Sequence, residues 1–125
     1  MALNFLQRQL PIPPPSTFFF SVSNNQLTGG IPSKICNLSS LVVLDLSNNS
    51  LSGEIPSCIG NLTSHKLSVV DLHMNKFLGA IPSTFAKDSV LRNLDLNGNK
   101  LEGPLPRTLL NCRKLEFLDL GNNDV

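Results

Sequence analysis

The chain contains no tryptophan and no tyrosine. These two residues anchor many binding hot spots, so any binding surface here must use other side chains. A membrane-spanning helix needs about 18 or more consecutive apolar residues. No apolar run in the sequence approaches that length, so the sequence predicts no membrane span. The first ten residues, MALNFLQRQL, lack the apolar core of about 7–15 residues that a secretory signal needs, so no signal peptide is expected.

Charge and cysteine are also sparse. Ten Lys and Arg residues stand against nine Asp and Glu residues, and no basic run could follow a phosphate backbone. This balance excludes nucleic acid as an expected partner. The three cysteines, Cys36, Cys58 and Cys112, contain no CxxC pair. A zinc site built on cysteine is therefore not expected.

One motif is repeated along nearly the whole chain. In the stretch 41–64, LVVLDLSNNSLSGEIPSCIGNLTS, an asparagine in the frame xLxLxxNxL is followed seven residues later by proline. The asparagines of successive copies, here called the asparagine ladder, are 24, 26, 24 and 24 residues apart, within the period of about 20–29 residues of leucine-rich repeats. The ladder consists of Asn25, Asn49, Asn75, Asn99 and Asn123, and Asn4 keeps the same offset to Pro11 in a damaged copy.

Each position that recurs between the repeats of this chain has a physical reason. Apolar residues alternate just before each ladder asparagine, for example Leu44 and Leu46, which predicts one short strand per coil with one face buried. The asparagine amide can satisfy buried backbone groups where the chain leaves the strand. Gly53 and Pro56 predict a bend and a short outer return. The predicted fold is a right-handed α/β-type solenoid of parallel strands with little regular helix.

The repeat divides the chain into six units. Residues 1–16 form a degenerate partial repeat with a Pro-rich segment, residues 17–40, 67–90 and 91–114 form full repeats, and residues 115–125 form a truncated one. Residues 41–66 form a repeat with a two-residue insertion at about His65 and Lys66. Because the chain begins and stops inside a repeat, we expect it to be a piece of a longer protein.

The extended signature LxxLxLxxNxLxGxIPxxxGNL resembles the plant-specific subclass of leucine-rich repeats, and the run from about Ile12 onward resembles the ectodomain of plant receptor-like proteins. The resemblance implies a non-catalytic recognition module that binds a peptide, protein or glycan ligand in defence or developmental signalling. It also implies a parent protein at the extracellular face of the plasma membrane, a partner receptor kinase and no cofactor. Two alternatives stay open: a secreted inhibitor similar to polygalacturonase-inhibiting proteins, and a truncated gene product without a function of its own.

The predicted ligand face lies on the strands. Residues that alternate with the buried leucines point away from the core, on the side that is concave in a parallel solenoid. Positions that break the repeat pattern are the ones that can encode specificity. They are Val69, His73, Met74, Asn93 and Phe117.

Four aspartates occupy one strand position in successive repeats: Asp45, Asp71, Asp95 and Asp119. Stacked carboxylates could raise each other's pKa or bind a cation, but this position is typically solvated and flanked by hydrogen-bond donors, so no metal site is expected. Asp71, His73 and Ser47 could be imagined as a catalytic triad. No nucleophile elbow accompanies them, so we predict neither catalytic residues nor an enzyme.

The last predictions concern N-glycosylation of the parent protein and a disulfide. Asn37 and Asn61 fit N-x-S/T and share one phase of the repeat on a coil exterior, whereas Asn48, the third such site, adjoins a ladder asparagine and is expected to be less accessible. Cys36 and Cys58 lie on adjacent coils, whose spacing of about 4.8 Å makes a disulfide feasible in an oxidising compartment. Cys112 falls in the inward column and is expected to be a buried thiol.

Overall fold

A computed structural model describes residues 9–125 of the chain. Asn4 and most of the damaged first copy of the motif lie outside these residues. The prediction that residues 1–16 form a partial repeat is therefore not tested for that part. From residue 9 onward the chain winds into successive coils that stack on one another. Each coil contacts mainly its neighbours, as expected of a solenoid.

The larger sheet has five parallel strands, one from each coil, in the order β1-β3-β5-β7-β9. They are β1 Phe19–Ser21, β3 Val43–Asp45, β5 Val69–Asp71, β7 Asn93–Asp95 and β9 Phe117–Asp119. The central apolar residues are in register, so that Leu44 pairs with Val70 and Val70 with Leu94. The prediction of stacked parallel strands from alternating apolar residues is confirmed.

A second parallel sheet of four strands was not predicted. It contains β2 Thr28–Gly29, β4 Ser50–Glu54, β6 Lys76–Gly79 and β8 Lys100–Leu101, so each complete coil has two strands rather than one. Only one inward apolar residue per coil, such as Leu51, marks these strands before the glycine, which is too short a pattern to identify a strand. Backbone hydrogen bonds between coils, such as Ser50 N–H to the Leu27 carbonyl at 2.8 Å, form the sheet.

The outer returns are short helical turns. The 3₁₀-helices Ser33–Asn37 and Arg107–Asn111 and the α-helix α1, Cys58–Leu62, have five residues each. A proline in extended conformation stands directly before each of the two 3₁₀-helices, where its fixed φ directs the chain into the turn. Within residues 9–125 no helix is long and apolar enough to cross a membrane.

The core lies between the two sheets and the helical turns. Every full coil adds inward leucine, isoleucine, valine or phenylalanine side chains to it, and Phe77 replaces leucine in the second sheet without becoming exposed. The fully buried members include Ile35, Leu38, Leu41, Leu44, Leu46, Leu51, Leu67, Leu72, Phe77, Leu91, Leu96 and Leu101. Because these side chains pack across coil boundaries, burial holds the stack together.

The asparagine ladder links the coils through backbone hydrogen bonds. Asn75, only 7% exposed, donates from Nδ2 to the carbonyls of Leu46 at 2.9 Å and Leu72 at 3.2 Å, and its Oδ1 accepts the N–H of Leu51 at 3.0 Å. Asn49, Asn99 and Asn123 make the same pattern of bonds with their own neighbours. Each of these four ladder residues thus serves backbone groups of two coils.

The outer side of the first two coils is joined by a disulfide between Cys36 and Cys58, whose Cα atoms are 5.5 Å apart. It connects the 3₁₀-helix Ser33–Asn37 to α1. Cys112 is a free, buried thiol beside Ser89, and burial raises the pKa of the Cys112 thiol while the Ser89 hydrogen bond opposes that shift. His65 and Lys66, the inserted residues, are exposed in the turn that follows α1.

Candidate functional site

The side chains of the five-stranded sheet that point away from the core form a continuous surface, here called the strand face. Its first column runs across the sheet at one register position: Phe19, Val43, Val69, Asn93 and Phe117. The next outward column is Ser21, Asp45, Asp71, Asp95 and Asp119. The surface therefore combines a mainly apolar column, interrupted by Asn93, with a column of four carboxylates that begins at Ser21.

A further column of the strand face lies in the turn after each strand and has a left-handed backbone. Its members, all with φ between 53° and 74°, are Asn24, Asn48, Met74, Gly98 and Asn122. Asparagine and glycine tolerate this conformation, whereas an unbranched apolar side chain pays a conformational penalty there. Met74 is thus the one strained residue of this column.

Met74 also has an exposed and specific position. Its side chain is 52% exposed and extends over the next coil, where a Cβ atom placed on Gly98 would lie 2.6 Å from Met74 Sδ. Gly98 leaves the space that the methionine fills. A backbone position that costs free energy and yet carries an exposed apolar side chain points to a functional role for that side chain.

Met74→Asn is expected to stabilise the protein by about 0.5–1 kcal/mol, because asparagine relieves the left-handed strain. Thermal or urea unfolding followed by circular dichroism measures the change. The reciprocal variant Asn48→Met puts methionine at the equivalent position of the preceding coil and should destabilise by a similar amount. A loss of stability in Met74→Asn would show that packing over Gly98 outweighs backbone strain.

The aspartate column is held by short-range hydrogen bonds. Each carboxylate accepts the backbone N–H two residues later, at 2.9–3.2 Å in Asp45, Asp71, Asp95 and Asp119. Donors therefore flank the carboxylates, as the sequence predicted. The Asn97 side chain and the Gly121 N–H lower the pKa of Asp119, whereas burial, together with the charge of Asp71, raises the pKa of Asp95 above its ordinary value.

His73 lies between two of these carboxylates. Its Nδ1 is 2.5 Å from Asp71 Oδ1 and 3.5 Å from Asp95 Oδ2. Burial alone would lower the pKa of His73, but the hydrogen bond to Asp71 and the charges of Asp71, Asp95 and Asp45 together raise it. The sequence placed His73 and Asp71 on one face but did not identify Asp95 as the second neighbour.

Ser47 does not complete a triad with His73. Its hydroxyl is buried and donates to Asp45 Oδ1 at 2.7 Å, within its own coil. His73 has Asp71 and Asp95 as its neighbours instead. The arrangement offers no serine nucleophile next to the imidazole.

The five predicted face residues all lie on the strand face or in the turn beside it. Val69 and Asn93 are register partners, Asn93 pairs with Phe117, and His73 and Met74 follow β5 directly. One exposed residue of the first column was missed, Phe19, at 59% exposure. Phe19 pairs with Val43, so the same repeat frame could have added it to the first column.

The three N-x-S/T asparagines, Asn37, Asn48 and Asn61, are all exposed. Asn48 has a left-handed backbone and adjoins the half-buried ladder residue Asn49. The lower occupancy expected at Asn48 stays a prediction. Thr63, the hydroxyl residue of the site at Asn61, is buried and donates to the Gly60 carbonyl at 2.6 Å.

Comparison with known proteins gives the family. Two family descriptions of leucine-rich repeats match the chain, one over residues 65–125 and the other over 16–38 and 40–62. Receptor-like protein 33 of Arabidopsis thaliana is 46% identical over 114 residues, which are 91% of this chain and 13% of that protein. For Receptor-like protein 32 of the same plant the identity is 46% over 89% of this chain and 12% of that protein.

A solved structure gives the same result. The Arabidopsis receptor kinase HAESA, in complex with the peptide hormone IDA and the co-receptor SERK1, matches with a TM-score of 0.81 and 37% identity over 87% of this chain and 18% of that one. The chain thus spans less than a fifth of each of these proteins. Its repeats, its two parallel sheets and these similarities place the chain in the leucine-rich repeat family, among the plant receptor-like proteins.

Proposed function

We propose that this chain forms part of the ligand-recognition surface of a plant cell-surface receptor, and that its strand face binds a peptide or protein ligand. The observation that carries the proposal is Met74, an exposed apolar side chain kept in a strained backbone conformation at the middle of that face. Phe117, at one end of the first column, adds a second exposed apolar anchor.

The chemistry of the strand face suits a peptide. The apolar residues of its first column, from Phe19 to Phe117, offer contacts for side chains. The neighbouring carboxylates and Asn97 offer hydrogen-bond partners for polar groups. Interfaces commonly combine a few such apolar anchors with a polar surround. The rigid sheet holds both columns in place, which limits the conformational entropy lost on binding.

The similar proteins support the same role. HAESA was solved with a peptide hormone and a co-receptor, and the relatives found in Arabidopsis are receptor-like proteins. We extend the proposal to a partner receptor kinase for the parent protein and to its display on the extracellular face of the plasma membrane. The disulfide between Cys36 and Cys58 is consistent with an oxidising compartment.

The variant His73→Ala/Met74→Ala/Phe117→Ala in the complete receptor is expected to bind its ligand about tenfold or more weakly, because three anchors leave the strand face. A peptide selected from a synthetic library by the complete ectodomain provides the probe. Affinity is measured by titration calorimetry, and surface display of the receptor is measured in parallel on intact cells.

A matched triple variant separates binding from stability. Lys76→Ala/Leu78→Ala/Lys100→Ala removes three exposed side chains from the second sheet, outside the strand face, and should leave affinity unchanged. Undiminished affinity in the strand-face variant, at normal surface level, would move the ligand site to another part of the receptor. An equal loss in both variants would also argue against the strand face.

A further inference from the structure

We propose that Asp71, His73 and Asp95 bind a divalent first-row transition-metal ion such as Zn²⁺ on the strand face. His73 offers a ring nitrogen and each aspartate offers a carboxylate oxygen, and these three atoms lie within 4.8 Å of one another. The proposal stands on these side chains alone and does not depend on the binding of a peptide.

The donor set selects the class of ion. Zn²⁺ binds histidine nitrogen and carboxylate oxygen at about 2.0–2.2 Å, and sites with three protein ligands leave a position for water or another ligand. Calcium and magnesium prefer sites built of oxygen atoms, whereas an imidazole in the set favours zinc, copper or nickel. One imidazole and two carboxylates therefore point to an ion of the zinc type.

The present distances are close to those of a bound ion. Ligand atoms around a tetrahedral zinc ion are about 3.3 Å apart, as follows from its bond lengths. The separation of His73 Nδ1 and Asp95 Oδ2, 3.5 Å, already fits. Asp71 Oδ1, at 2.5 Å from Nδ1, must move away by about 0.8 Å as the metal replaces the hydrogen bond.

The backbone holds the ligands in place before binding. Asp71 and Asp95 are register partners on β5 and β7, so the sheet fixes the distance between their Cα atoms. The N–H of Asn97 holds Asp95 through Oδ1, which leaves Oδ2 directed at His73. The turn that carries His73 is anchored by the Met74 N–H, which donates to the Asn97 carbonyl at 2.8 Å. Little conformational freedom remains to be lost when an ion binds.

The imidazole distinguishes this pair of aspartates from the rest of the column. At the position of His73 the neighbouring coils have Ser47 and Asn97, which donate hydrogen bonds to Asp45 and Asp119 respectively. Those carboxylates are satisfied by neutral donors. The coil of residues 67–90 instead places the imidazole nitrogen of His73 between the carboxylates of Asp71 and Asp95. The aspartate column by itself has no such nitrogen ligand.

Titration calorimetry of the full chain with ZnCl₂, after treatment with a chelator, tests the proposal. We expect one ion per chain and a loss of affinity of about tenfold or more in His73→Asn and Asp95→Asn. Both replacements suit the fold, because Asn97 occupies the position of residue 73 in the next coil and an asparagine at 95 keeps an oxygen for the Asn97 N–H. His65→Asn and Asp119→Asn are the matched controls and should bind as the wild type does.

A second measurement does not depend on the folding of the ligand variants. The chain has two histidines, so in His65→Asn the imidazole of His73 gives the only imidazole signals in an NMR spectrum. Zn²⁺ should shift these signals with saturation at one ion per chain. Absence of saturable binding to the wild type, unmoved His73 signals, or equal binding by His73→Asn would each overturn the proposal.

Discussion

Replacing Asn75 with alanine is expected to lower the free energy of unfolding by roughly 3–5 kcal/mol, because its four side-chain hydrogen bonds are lost and one backbone group is left buried without a partner. The carbonyls of Leu46 and Leu72 each keep a second donor, from Asn49 and Asn99. The N–H of Leu51 has no substitute for Asn75 Oδ1 among the described contacts. The loss is a large part of the stability expected for a chain of this size.

The matched control is Asn25→Ala, at the end of the described ladder. Asn25 is exposed, and within residues 9–125 it donates only to the nearby carbonyls of Val22 and Ser23, so its loss should cost less than about 1 kcal/mol. Circular dichroism during urea unfolding is a suitable measurement, since the chain has no tryptophan or tyrosine for fluorescence. Equal stability of the two variants would refute a special role for the buried ladder.

Gly60→Ala should destabilise the protein by about 2–3 kcal/mol, even though alanine is the better helix former and gains up to about 1 kcal/mol from propensity. A Cβ on Gly60 would overlap Thr84 Oγ1 and lie 2.7 Å from the Thr84 carbonyl carbon. The backbone of the next coil cannot move away without separating the two coils. Packing therefore predicts a loss of stability and helix propensity predicts a gain. The loss from packing is the larger of the two.

Gly30→Ala provides the comparison, because a Cβ there meets only the Ser52 carbonyl oxygen at an ordinary 3.7 Å. Its stability should change by less than about 0.5 kcal/mol. Unfolding curves of both variants decide the question, and a Gly60→Ala protein as stable as the wild type would contradict the close approach of the coils. One coil earlier, Cys36 stands at the repeat position of Gly60 and Cys58 at that of Thr84. There a disulfide joins the two coils.

Much of the site could be placed from the frame of the repeat. Val69, Asn93 and Phe117 were assigned to the strand face because the side chains of a strand alternate, and their register in the sheet agrees with that assignment. The left-handed conformation of Met74 was not predicted, because the asparagine and glycine residues at the same frame position are compatible with several backbone conformations.

The sequence by itself determined the coil, its period and its inward columns, because these follow from short patterns that each repeat carries within about 24 residues. The tertiary structure alone decided the contacts between coils: His73 against Asp95, Gly60 against Thr84, and the second sheet. Those contacts join residues 22 or more positions apart, and their distances depend on strand register and on how closely the backbones approach. No local pattern specifies either quantity, since both are set by the packing of one coil on the next.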